Sequence, residues 1–124
     1  MKAKEKALAI ATQLAAKKGL DIEIFDLAEI SSFTDFFVIC SGTSKRHVKT
    51  LADQTLETAR MHGERSLGVE GDPPGRWILV DLGDVVVHLF ESEAREFYAL
   101  ERLWGEAHPV PVPEADPERI AEAQ

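Results

Sequence analysis

The sequence predicts a single α/β domain, a mixed five-stranded sheet with packed helices, and three observations carry that prediction. Two short apolar stretches, 22–27 and 35–41, have the length and composition of strands buried on both faces. A helical stripe follows the second at Val48, Leu51, Ala52, Thr55, Leu56 and Ala59. Farther on, residues 76–81 and 85–90 flank Leu82-Gly83-Asp84, a hairpin signature in which Gly83 can take the positive φ of a tight turn. A helix between strands implies a crossover, and a hairpin implies antiparallel pairing, so the sheet is mixed. At 124 residues and 44% hydrophobic composition, the chain is one domain of ordinary size.

Residues 3–18 read as a helix, with Ala7, Ile10, Ala11, Leu14 and Lys18 at helical spacing and Gly19 as its stop. The stripe is narrow and rich in alanine, which suits close packing on a sheet. In the first strand, 22–27, Ile22 and Ile24 point one way and Phe25 and Leu27 the other, which predicts an interior strand. Ser31 and Ser32 form the turn that follows. The second strand, 35–41, contains Cys40 as a small buried hydrophobe. Ser44 caps the helix 45–62, and Gly63 ends it. Residues 66–70 fit a short third strand, and Gly-Asp-Pro-Pro-Gly at 71–75 a turn without strand capacity. The fourth and fifth strands are 76–81 and 85–90. A last helix spans 93–104, with Phe97, Leu100, Leu103 and Trp104 on one side. The order is α-β-β-α-β-β-β-α within a domain of residues 1–106. Residues 107–124 hold Pro109, Pro111, Pro113 and Pro117 and read as a Pro-rich, acidic, mobile tail.

Charge narrows the function. The net charge is −8. Residues 1–18 carry five lysines against Glu5, and 107–124 four acids against Arg119, which leaves −9 on residues 19–106. Such a surface repels naked nucleic acid and anionic membranes and attracts a basic protein. One cysteine excludes an intramolecular disulfide and a Cys-based zinc cluster. No apolar run reaches the ~20 residues of a membrane span, and residues 1–18 lack the apolar block of a signal peptide, so a cytoplasmic setting is expected.

The motifs argue for a binding module. A strand–Gly42-Thr43-Ser44–helix junction can expose backbone N–H groups to a phosphate, and nucleotidyltransferases open this way. Their chemistry also needs paired carboxylates for Mg²⁺. No Asp-x-Asp follows; Asp81 and Asp84 flank a turn, and Asp53 lies on a helix. His47, His62, His88 and His108 lack metal-pair spacing, and neither a P-loop nor G-x-G-x-x-G occurs. No catalytic residue, metal or cofactor is expected. The fourth strand alternates Trp77, Leu79 and Asp81 against Ile78 and Val80, which suit the core. The aromatics here and on the last helix either close the core over the sheet or, as an exposed Trp beside carboxylates, form a typical anchor for a basic partner.

Three blocks, DFFVICSGTSKRHV (35–48), RWILVDLGDVVVHLF (76–90) and REFYALERLWG (95–105), resemble the ribosomal silencing factor family, also called the Iojap family. The likeness covers residues 3–106 and departs only at Leu82, where an aromatic is common. The resemblance implies a nucleotidyltransferase-like fold without catalytic carboxylates. It implies binding to the large ribosomal subunit through that subunit's ribosomal protein fourteen, obstruction of subunit joining, repression of translation, and a possible homodimer when free. It implies neither direct nucleic-acid recognition nor membrane contact. From alternation and exposure, the contact residues are expected to be Trp77, Leu79 and Asp81, with His88 from the fifth strand and Tyr98, Glu101 and Arg102 from the last helix. The second reading is a small nucleotide-binding or nucleotidyltransferase-type enzyme. Carboxylates converging beside Gly42–Ser44 would distinguish it.

Overall fold

The protein is described from a computed structural model, which places residues 2–72, 76–93 and 108–112. Helix α1 (Ala3–Ala16) buries Ala7, Ile10, Ala11 and Leu14, the narrow stripe of small and aliphatic residues. It ends two residues before Lys18, which takes a left-handed φ of 64°. The Gly19 N–H then closes on the Leu14 carbonyl at 2.8 Å. A Cβ at Gly19 would lie 2.5 Å from Cys40 Sγ, so only glycine lets the chain cross this close to the sheet.

Strand β1 (Leu20–Asp26) pairs antiparallel with β2 (Phe36–Gly42), with a bulge between Leu20 and Glu23. Helix α2 (Lys45–Met61) follows, capped by Ser44, whose Oγ accepts from the His47 N–H at 3.1 Å. Strands β3 (Gly68–Asp72), β4 (Trp77–Asp81) and β5 (Val85–Glu91) form an antiparallel run. Gly83 turns the β4–β5 hairpin at φ 88°, and its N–H donates to Asp81 Oδ1 at 2.8 Å. The crossover through α2 brings β5 parallel to β2, which makes the sheet mixed. Both helices cover one face. There Ile24, Val38, Cys40, Val80, Val87 and Leu89 meet Ile10, Leu14, Val48 and Leu51 in the main core.

Among the described residues the sheet has six strands, in the order β3-β4-β5-β2-β1-β6, and not five. The additional strand, β6 (His108–Val110), comes from the segment expected to be a tail. It pairs antiparallel with β1, Ile24 opposite Val110 and Phe25 opposite Pro109, and Val110 and Val112 pack on the core. A three-residue strand has no periodicity to detect, and proline is admissible because an edge strand leaves some N–H positions unpaired. Strand β3 also extends through Gly71 and Asp72, expected to be turn, because they pair with Ile78 and Trp77. The expected last helix, 93–104, falls almost entirely outside the described residues.

Lys6 knits the layers together. It is 4% exposed, and its Nζ lies 2.6 Å from Asp84 Oδ1 and 3.3 Å from Glu64 Oε2. One cation in α1 thereby holds both the β4–β5 turn and the segment after α2.

Candidate functional site

The face of the sheet turned away from α1 and α2 carries the site. Alternation in β4 sends Ile78 and Val80 into the helix-side core and leaves Trp77, Leu79 and Asp81 on the opposite face, all half-buried. The register sets Trp77 beside Phe90, Leu79 beside His88 and Asp81 beside Val86. Aromatic rings then stack along this face. Trp77 lies 6.0 Å from His88 and 5.9 Å from Phe90, nearly parallel to both, and Phe37 meets His88 edge-on at 4.6 Å.

His88 is not on an exposed surface, as alternation alone had suggested; it is 4% exposed. Strand parity chooses the face, but burial depends on neighbouring strands, and here aromatic rings from β2 and β4 flank the imidazole. Trp77 Nε1–H donates to His88 Nδ1 at 3.3 Å, so the neutral ring carries its proton on Nε2. Among the described residues that buried Nε2 has no hydrogen-bond partner. Desolvation lowers the imidazole pKa from 6.5 to about 4, so His88 is neutral near pH 7.

Next to His88 the face opens into a groove of about 370 Å³. Phe37, Leu79, Val86 and His88 line it together with Phe33, Leu67 and the acidic Glu70 and Asp81. Phe33 is 66% and Leu67 74% exposed, in the segments before β2 and β3. Strand patterning did not single out either: Phe33 belongs to a connection, and Leu67, placed in the expected strand 66–70, lies just before β3, which starts at Gly68. The available signal at Phe33 was a large apolar residue within a connection, where polar residues are usual. Trp77 lies at the far end of β4 from Asp81. Tyr98, Glu101 and Arg102 fall outside the described residues.

The Gly42–Ser44 junction is closed by the protein's own groups. Thr43 N–H donates to His47 Nδ1 at 2.9 Å, His47 N–H donates to Ser44 Oγ, and His47 Nε2–H donates to the Lys17 carbonyl at 2.9 Å. The amides that would cradle a phosphate at Thr43 and His47 are thus occupied. Among the described residues, no group of three or more His, Cys, Asp or Glu side chains could hold a metal ion. No described helix is long and apolar enough to cross a membrane.

Comparison with known proteins bears on the chain as a whole. The family model described as "Ribosomal silencing factor during starvation" matches residues 1–124. A ribosomal silencing factor from Haemophilus influenzae is 45% identical over 87 residues, 70% of this chain and 85% of that protein. One from Bacillus subtilis is 43% identical over 91 residues, 73% of this chain and 77% of that protein. The fold is also that of a Chromobacterium violaceum protein solved by crystallography. Its TM-score is 0.81 at 33% identity, covering 94% of this chain and 98% of the other.

Proposed function

The chain belongs to the family of ribosomal silencing factors, and from that premise we propose that it binds the large ribosomal subunit through that subunit's ribosomal protein fourteen, blocks subunit joining and so represses translation. One observation carries the docking reading. The face of the sheet turned away from α1 and α2 has an apolar groove with exposed Phe33 and Leu67 at its margin and two carboxylates, Glu70 and Asp81, beside it. Ribosomal proteins are basic, and a groove of this kind combines apolar contact with charge complementarity. Trp77, Leu79 and Asp81 form the contact strand. His88 supports the surface from beneath by fixing the Trp77 ring, and Tyr98, Glu101 and Arg102 extend the contact. Obstruction of subunit joining is steric and requires no catalytic group. Free copies pair as homodimers; the outer edge of β3, which among the described residues has β4 as its one neighbour, supports this because an unpaired edge offers backbone groups to a second strand.

Co-sedimentation tests the reading. The protein should pellet with isolated large subunits and not with assembled ribosomes, and it should reduce the yield of joined ribosomes from purified subunits. Equal pelleting with both subunits, or normal joining at saturating protein, overturns it.

A further inference from the structure

We propose that the end of the fold where α1 stops and α2 starts, with Lys17, Lys18, Lys45 and Arg46, binds RNA phosphates of the large ribosomal subunit; this rests on the function proposed above. All four residues are exposed. Among the described residues Lys49 is paired, with Asp53 at 3.6 Å, whereas these four make no ion pair. The His47 Nε2–H bond to the Lys17 carbonyl, 2.9 Å, joins the two segments, which lie far apart in sequence.

Three of these residues oppose local folding preferences. The first turn of α2 contains no acid, and Lys45 and Arg46 stand at the positive end of the helix dipole, where cations are disfavoured. Lys18 occupies a left-handed φ of 64°, a position suited to glycine. Positions that break local rules without a folding benefit are expected at functional sites. They gather at one end of a chain whose net charge is −8.

The partner follows from this distribution. An extended anionic plane such as a membrane would meet the acidic remainder of the surface. A ribosomal protein, by contrast, presents a docking surface with RNA beside it, so one end of a bound protein can touch phosphates. Gly42 pairs with Glu91 and Phe90 with Trp77, so the patch and Trp77 occupy the same end of the sheet. Net charge alone argues against nucleic acid, but a contact responds to charges within a Debye length, about 8 Å at physiological salt. The phosphates meet these side chains and not the backbone N–H groups of Thr43 and His47, which are already bonded within the cap.

The test combines Lys17→Gln, Lys18→Gln, Lys45→Gln and Arg46→Gln in the full chain. Binding is measured to purified large subunits between about 50 and 200 mM salt, to the isolated ribosomal protein fourteen, and to protein-free large-subunit RNA at low salt. Each lost phosphate contact should reduce the salt slope by about 0.7–0.9, so the variant, which removes four cations, should lose roughly three to three and a half units of slope and bind subunits at least ~10-fold more weakly. Its affinity for the isolated ribosomal protein should be unchanged, its binding to naked RNA reduced, and its melting temperature unchanged or raised. The Lys→Arg and Arg46→Lys versions should retain parental slopes. Parental slope and affinity in the Gln variant overturn the proposal. So does equal weakening on the isolated ribosomal protein, or parental binding to phosphatidylserine vesicles that exceeds binding to RNA. If the parent fails to pellet with large subunits, the silencing reading fails, and the naked-RNA arm still decides the patch: reduced variant binding supports it, equal binding overturns it.

Discussion

Trp77 and His88 act as a pair. The indole donates to His88 Nδ1 and covers the imidazole, so each ring's position depends on the other. Trp77→Ala should therefore affect both stability and binding. Loss of the half-buried ring should cost about 1–2 kcal/mol in chemical denaturation, less than the 3–5 of a fully buried Trp. Binding to large subunits should weaken at least ~10-fold. Normal pelleting by the folded variant would remove Trp77 from the docking surface. His88 makes a second, pH-dependent prediction. Its folded pKa of about 4 lies below the 6.5 of the unfolded chain. The unfolded state therefore binds the extra proton first as pH falls, and the stability present above pH 6.5 is lost toward pH 4. Between pH 7 and pH 5 this group should cost about 2 kcal/mol. His88→Phe keeps a flat ring, eliminates the buried Nε2 orphan and should flatten that dependence in urea titrations. An undiminished slope in His88→Phe would assign the acid sensitivity to other groups.

At the level of secondary structure, β6 changes how the end of the chain is understood. Its pairing with β1 makes β1 an interior strand, in agreement with the apolar residues on both faces of 22–27. Val110 and Val112 add partial burial to the helix-side core. A chain ending at Ala107 should consequently lose about 2 kcal/mol, and β1 amides should exchange faster with solvent, because their second partner is gone. An unchanged denaturation midpoint and unchanged exchange in β1 would show that the pairing contributes nothing to stability. The α2 crossover has a different role. By placing β5 next to β2, it sets His88 and Phe37 in contact and thereby builds the floor of the groove from strands nearly fifty residues apart.

Across the molecule, charge is segregated. Carboxylates adjoin the groove, four unpaired cations mark the end near Lys17 and Arg46, and one buried cation lies between layers. Lys6 is the element that ties distant parts together, since its ammonium holds the β4–β5 turn and the segment after α2 against α1. Lys6→Ala should destabilise by about 3 kcal/mol by removing a buried charge partner and its packed stem. Lys6→Met should cost clearly less, because Glu64 and Asp84 keep partial access to water and the methionine fills the stem's volume. Denaturant melts of the two variants compare these directly; equal losses would mean that the charge itself, rather than the stem, does the holding.

Helices α1 and α2, strands β1 to β5 and the family were legible from the residues alone. Periodicity at Val48–Ala59, the apolar run 35–41 and Gly83 in its turn are local signals, and local sterics and burial enforce them without reference to the rest of the chain. The alternation of Trp77, Leu79 and Asp81 was readable for the same reason, since a strand's parity is intrinsic. Other features required the assembled sheet. A three-residue strand carries too little pattern to separate it from an extended tail, and β6 exists because β1 offers an edge to pair with. His88 became buried, neutral and tied to Trp77 only when β4 and β2 closed on either side of β5. Phe33 and Leu67 reached the groove through loop placement, and Lys17 met His47 through the packing of two helices. In each case the deciding contact joins residues distant in sequence, and its energy depends on a geometry that no single segment contains.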